Sequence, residues 1–130
     1  MNNNNNNEEK NEMVEFKQHG IIYASLTKSG QGTNASVKVD YEEVGNNKLY
    51  CSGSVKNEST ATTFVRLSSI NFNNGYADIP LTSGEIVKFK NIRLDIISIP
   101  SIVGQSTTIN VKVVAITYSF AMGEPEIDIE

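Results

Sequence analysis

Apolar and polar residues alternate in short runs that keep returning along the chain after residue 20. Val37-Lys38-Val39-Asp40-Tyr41 is one run; Leu49 to Val55, Ile92 to Ile96 and Ile109 to Val113 are others. A period of two puts every second side chain on one face, the pattern of half-buried β-strands. Turn-forming clusters separate the runs: 29–34, Gly45-Asn46-Asn47, Asn57-Glu58-Ser59-Thr60, Asn73-Asn74-Gly75 and Thr82-Ser83-Gly84. They delimit strands over 21–27, 36–42, 48–56, 62–72, 76–81 and 85–99, with a last core strand beginning near Ile109. Asn74-Gly75 suits a two-residue hairpin turn. Pro80 confines its segment to a sheet edge or a strand end.

Twice the apolar parity changes inside a β-run. Ile92, Leu94 and Ile96 give way to Ile97 and Ile99, and Ile109, Val111 and Val113 give way to Val114, Ile116 and Tyr118. A parity change of this kind is what a β-bulge produces, so both segments are expected to bend from one sheet towards another. No stretch combines helical spacing with capping residues, and a short helix near Gln105 is the most the pattern admits.

About seven to nine strands spaced about ten residues apart, with no helices between them, predict an all-β fold. The expected architecture is a single-domain antiparallel β-sandwich, jelly-roll or Ig-like, with a small barrel as the alternative. The domain is expected over 16–123. Residues 1–15, with Asn2 to Asn7, read as a disordered or arm-like polar segment. Residues 124–130 read as an acidic amphipathic tail strand.

Composition narrows the chemistry. At 130 residues a chain buries roughly two-thirds of its unfolded surface, so a core forms without metals or disulfides. The net charge of -4 argues against nucleic acid as a partner, which calls for a basic excess, and against an anionic membrane surface. No apolar run is long enough for a transmembrane helix. The N-terminus has neither the basic nor the apolar region of a signal peptide, so synthesis and retention in the cytosol are expected, with an assembled particle as the destination.

The single histidine, His19, adjoins Gly20 where the arm meets the first strand, a solvated place for a catalytic base. One His and one Cys do not make a zinc site, and Asp40, Glu42 and Glu43 lack the regular offsets of a calcium loop. Cys51 shares the parity of Leu49 and Val55, so a buried, inert thiol is expected. No catalytic residue, metal or cofactor is predicted, and the chain is not expected to be an enzyme. The sequons at Asn34 and Asn57 read as chance matches.

The termini carry more. Glu126, Asp128 and Glu130 share one face of the tail, Ile127 and Ile129 the other. Lys88 and Lys90 stand two apart on an inner strand, the spacing that faces Glu126 and Asp128 across a ladder. The tail is therefore expected to dock beside residues 86–93, in its own chain or on a neighbour. Glu126, Ile127, Asp128, Ile129, Lys88 and Lys90 form the candidate interface. The expected role is a non-enzymatic structural subunit of a larger assembly, such as a capsid decoration, head or tail protein of a bacteriophage virion. Its partners would be protein subunits, either further copies of itself or a larger scaffold. The alternative is a ligand- or glycan-binding adhesion module using Tyr50 and Tyr76 as stacking platforms.

Overall fold

The computed structural model describes residues 11–29, 35–39, 48–101 and 107–130. The Asn run, the turns at 30–34 and 45–47, the sequon Asn34, the carboxylates of Asp40, Glu42 and Glu43, and the segment around Gln105 lie outside the described residues. Among the described residues there are ten strands and no helix. The strands are β1 (Asn11–Gln18), β2 (Ile21–Lys28), β3 (Ala35–Lys38), β4 (Tyr50–Asn57) and β5 (Thr63–Ser69). They continue with β6 (Tyr76–Leu81), β7 (Ile86–Ile92), β8 (Leu94–Ile99), β9 (Ile109–Tyr118) and β10 (Glu126–Ile129).

One sheet has six strands in the order β1-β2-β9-β4-β7-β10, the other four in the order β3-β8-β5-β6. Every pairing is antiparallel. Alternate residues from both sheets fill one core, with Ile22, Leu26, Val55, Phe89 and Val113 meeting Val37, Leu67, Leu81 and Ile97. The result is a β-sandwich. The alternative of a closed barrel is set aside, because β1, β10, β3 and β6 each end a sheet. The pairings also nest: β5 pairs β6, β4 pairs β7, β3 pairs β8 and β2 pairs β9.

Both expected domain boundaries move outward. β1 reaches back to Asn11 and pairs with β2 along its whole length, because Met13, Val14 and Phe16 give the end of the supposed arm strand character. His19 and Gly20, at φ 54° and 84°, make the tight turn between them, with both central residues left-handed as a type I′ hairpin requires. At the other end the tail strand is the sixth member of the larger sheet rather than a segment apart from it.

The first parity change is a real irregularity. The chain leaves the larger sheet at Ile92 and enters the smaller one at Leu94, and there Ser69 and Ser68, adjacent on β5, face Leu94 and Ile96. Asp95 is the extra residue of a bulge. The second is not a bend. β9 runs unbroken from Ile109 to Tyr118 with odd residues buried and even ones turned outward, so Val114, Ile116 and Tyr118 are simply apolar residues on its outer face.

Gly53 lies at the centre of the larger sheet, where β4 shifts register against β7. A Cβ built there would meet the Val114 carbonyl oxygen at 2.1 Å and the Ala115 Cα at 2.7 Å. Only glycine allows β9 to come this close.

Candidate interaction surface

Residues directly opposite one another in a ladder point to the same side of the sheet. The outer face of the larger sheet can therefore be followed strand by strand. One row crosses all six strands: Phe16, Tyr23, Val114, Ser54, Lys88 and Asp128. Its chemistry changes along the way, from apolar through a serine to charged. The row beside it reads Gln18, Ile21, Ile116 and Ser52.

The β1-β2-β9 half thus gathers Val14, Phe16, Ile21, Tyr23, Val114 and Ile116 on one face. Val14 is 75% exposed, Ile116 57%, Phe16 52% and Tyr23 48%. The Phe16 and Tyr23 rings stand 6.4 Å apart and tilted at 42°, a cross-strand aromatic contact. Single exposed apolar residues are ordinary on a protein surface, but a contiguous cluster on adjoining strands is not.

The β4-β7-β10 half holds the six residues singled out from the sequence. Glu126 stands opposite Lys90, Ile127 opposite Phe89, Asp128 opposite Lys88 and Ile129 opposite Val87. The tail therefore docks beside residues 86–93 within its own chain. Lys88 Nζ makes its ion pair with Glu130 Oε1 at 3.0 Å, one step along from the directly opposite Asp128. Both side chains are about half exposed, so the pair adds little stability. Ile127 packs against the core and Ile129 is 46% exposed.

The remaining candidates are accounted for by local structure. His19 is exposed in the β1–β2 turn. Cys51 is wholly buried, and that burial pushes its thiol up to about 12, which keeps it protonated and unreactive. Tyr50 stacks on Tyr118 at 6.2 Å and carries the Arg93 guanidinium 5.2 Å from its centroid. Tyr76 has Arg66 over its ring at 4.2 Å, and Arg66 is forked onto Asp78 at 2.7 and 2.9 Å. Each proposed stacking platform thus already has an arginine on one face. The Glu85 carboxylate accepts from the Thr82 N–H at 2.7 Å, which holds its pKa below the ordinary value. Among the described residues no three His, Cys, Asp or Glu side chains come together as metal ligands would.

Asn57 is a well-satisfied polar side chain in the interior. It is fully buried, donating to the carbonyls of Ala61, Leu81 and Thr82 at 2.9, 3.0 and 3.2 Å and accepting from the Ser59 N–H at 2.9 Å. A glycan has no access to it in the folded chain.

The apolar half was missed from sequence, although its signal is present. Apolar residues at both parities near Val113 predict a bend, whereas a strand buried on one face and apolar on the other gives the same pattern. No family model matches the chain, and neither a curated protein nor a solved structure does.

Proposed function

We propose that this chain is a non-enzymatic structural subunit of a larger protein assembly, held there by the apolar half of its outer sheet face. The observation that carries this reading is the cluster of Val14, Phe16, Ile21, Tyr23 and Ile116, exposed together around the half-buried Val114 on three adjoining strands. Large exposed apolar patches on soluble domains mark interaction sites, because burying them against a partner removes apolar surface from water.

The strand order supports a narrower version. We read β2-β9-β4-β7 against β3-β8-β5-β6, with nested pairings, as a jelly roll, an architecture used among others by viral capsid and lectin domains. It agrees with a virion accessory protein, such as a capsid decoration, head or tail subunit of a bacteriophage, without selecting it, since one fold serves many roles. The charged residues of β7 and β10 engage each other within the chain, so neighbour contact passes to the apolar half.

The test is solution mass by light scattering over a range of concentrations, for the wild-type chain and Ile116→Lys. Ile116 is exposed, so its substitution leaves the melting temperature unchanged while removing mass from the assembly. A wild-type mass indifferent to Ile116→Lys would refute the face as the assembly surface.

A further inference from the structure

We infer that the first contact of this assembly is a second copy of the chain, joined edge to edge through β1 in a register centred on Phe16. This deepens the assembly reading and rests on it for its setting, but its geometry comes from β1 alone.

Four strands end sheets among the described residues, and three are blunted as sheet edges usually are. β10 and β3 have only four residues each, and β6 carries Pro80, which has no N–H to offer. β1 bears charge, with Glu15 and an inward Lys17 of opposite sign on one face, but it has eight residues, no proline, and Met13, Val14 and Phe16 exposed along it.

The turn at His19-Gly20 fixes which backbone groups face outward. A two-residue type I′ turn closes on a hydrogen-bonded pair, here Gln18 with Ile21. In agreement, the Gly20 carbonyl points the other way and accepts from the Thr117 N–H at 2.8 Å. Alternation then turns the N–H and C=O of Gln18, Phe16 and Val14 towards β2, and those of Lys17, Glu15 and Met13 towards the open edge.

A second β1, antiparallel across a twofold axis, must match open groups to open groups, which admits registers centred on one residue facing itself. Centring on Glu15 or Lys17 sets like charges face to face, which is unfavourable. Centring on Val14 leaves Glu15 opposite methionine. Centring on Phe16 sets Glu15 opposite the partner's Lys17 twice, Phe16 opposite its own copy, and Val14 opposite the partner's Gln18. The charges lie on the inner side of the edge, where Lys17 already stands 3.7 Å from Glu15 of its own strand and bonds the Lys38 carbonyl. The apolar rings lie on the outer side. Two six-stranded sheets become one, and their two apolar halves meet at the axis as a single band. An isologous contact of this kind closes on itself, leaving that band for the next layer of assembly.

Single-cysteine variants at the edge read the register directly, with Cys51 left in place because it is buried. In a non-hydrogen-bonded pair the side chains are close enough for a disulfide. The expected result is a disulfide-linked dimer from Phe16→Cys, with Val14→Cys and Glu15→Cys remaining unlinked. Because Phe16→Cys removes an aromatic contact, a second measurement keeps every native ring. Glu15→Lys sets like charges opposite and weakens the dimer about ten-fold, and adding Lys17→Glu restores it. Linkage through Glu15→Cys instead of Phe16→Cys, or no linkage at any position with a mass that does not rise with concentration, overturns the inference. A mass that falls with Ile116→Lys but no linkage at residue 16 removes the β1 contact and keeps the assembly reading. Linkage at residue 16 with a mass indifferent to Ile116→Lys does the reverse.

Discussion

On the outer face of the larger sheet, the half built by β1, β2 and β9 and the half built by β4, β7 and β10 follow one alternation and present opposite chemistry. In the second, Lys88 and Lys90 face Asp128 and Glu126, and Lys88 holds Glu130. Its charges are answered within the chain or by water. In the first, Phe16, Tyr23 and Ile116 stay about half exposed, and water is a poor partner for them. Period-two patterning decides which side chains point outward; whether the outward set is self-sufficient depends on what it faces across the ladder. Here the self-sufficient half is the one with the acidic strand β10 laid along it.

Three changes test how far the two halves are separate. The largest effect is expected at the seam. Gly53→Ala drives a Cβ into the backbone of β9, so overpacking should cost about 3 kcal/mol or more and abolish both halves together in chemical denaturation. Retention of wild-type stability would mean that β9 and β4 are not this close. Next, ending the chain at Gly123 removes β10, its ladder to β7 and the packing of Ile127. A loss of about 2 kcal/mol is expected, while solution mass keeps its response to Ile116→Lys. A tail that instead served neighbours would change mass and leave monomer stability alone. Smallest is Lys88→Glu, which places a carboxylate among Asp128 and Glu130. It should cost on the order of 0.5 kcal/mol, shrinking in high salt, and Glu130→Lys in the same chain should recover it.

Much of the fold was legible from alternation and turn chemistry. Asn74-Gly75 falls within the β5–β6 connection, but that connection runs over residues 70–75 and only Gly75 in it is left-handed, so it is not the two-residue hairpin turn expected. Pro80 lies on an edge strand, and Asp95 makes the bend near the parity change at Ile96. The docking of Glu126 and Asp128 beside Lys90 and Lys88 was legible for a similar reason, since charges spaced by two find their complements across one ladder. Other features could not be read in this way. β1 was hidden because Asn and Glu lower its β-propensity, and its pairing with β2 depends on a His-Gly turn that carries a weaker signal than Asn-Gly. The apolar face was hidden because Val114 and Ile116 look like core. A sequence gives the apolar residues of a strand without saying that the core is already full.

The nested pairings also favour one order of folding over others. β5 and β6 are separated only by residues 70–75, whereas β2 and β9 meet across residues 29–108. Loop closure grows more costly with separation, so the innermost hairpin is placed to form early and the β2–β9 pair late. The apolar face straddles that last pair, with Ile21 and Tyr23 on one strand and Ile116 and Val114 on the other. An unfinished chain therefore lacks the complete surface, and a molecule that displays it has already closed the sandwich behind it. Display of the apolar face and completion of the fold thus coincide, so on the proposed reading only a folded chain has the whole surface to offer a neighbour.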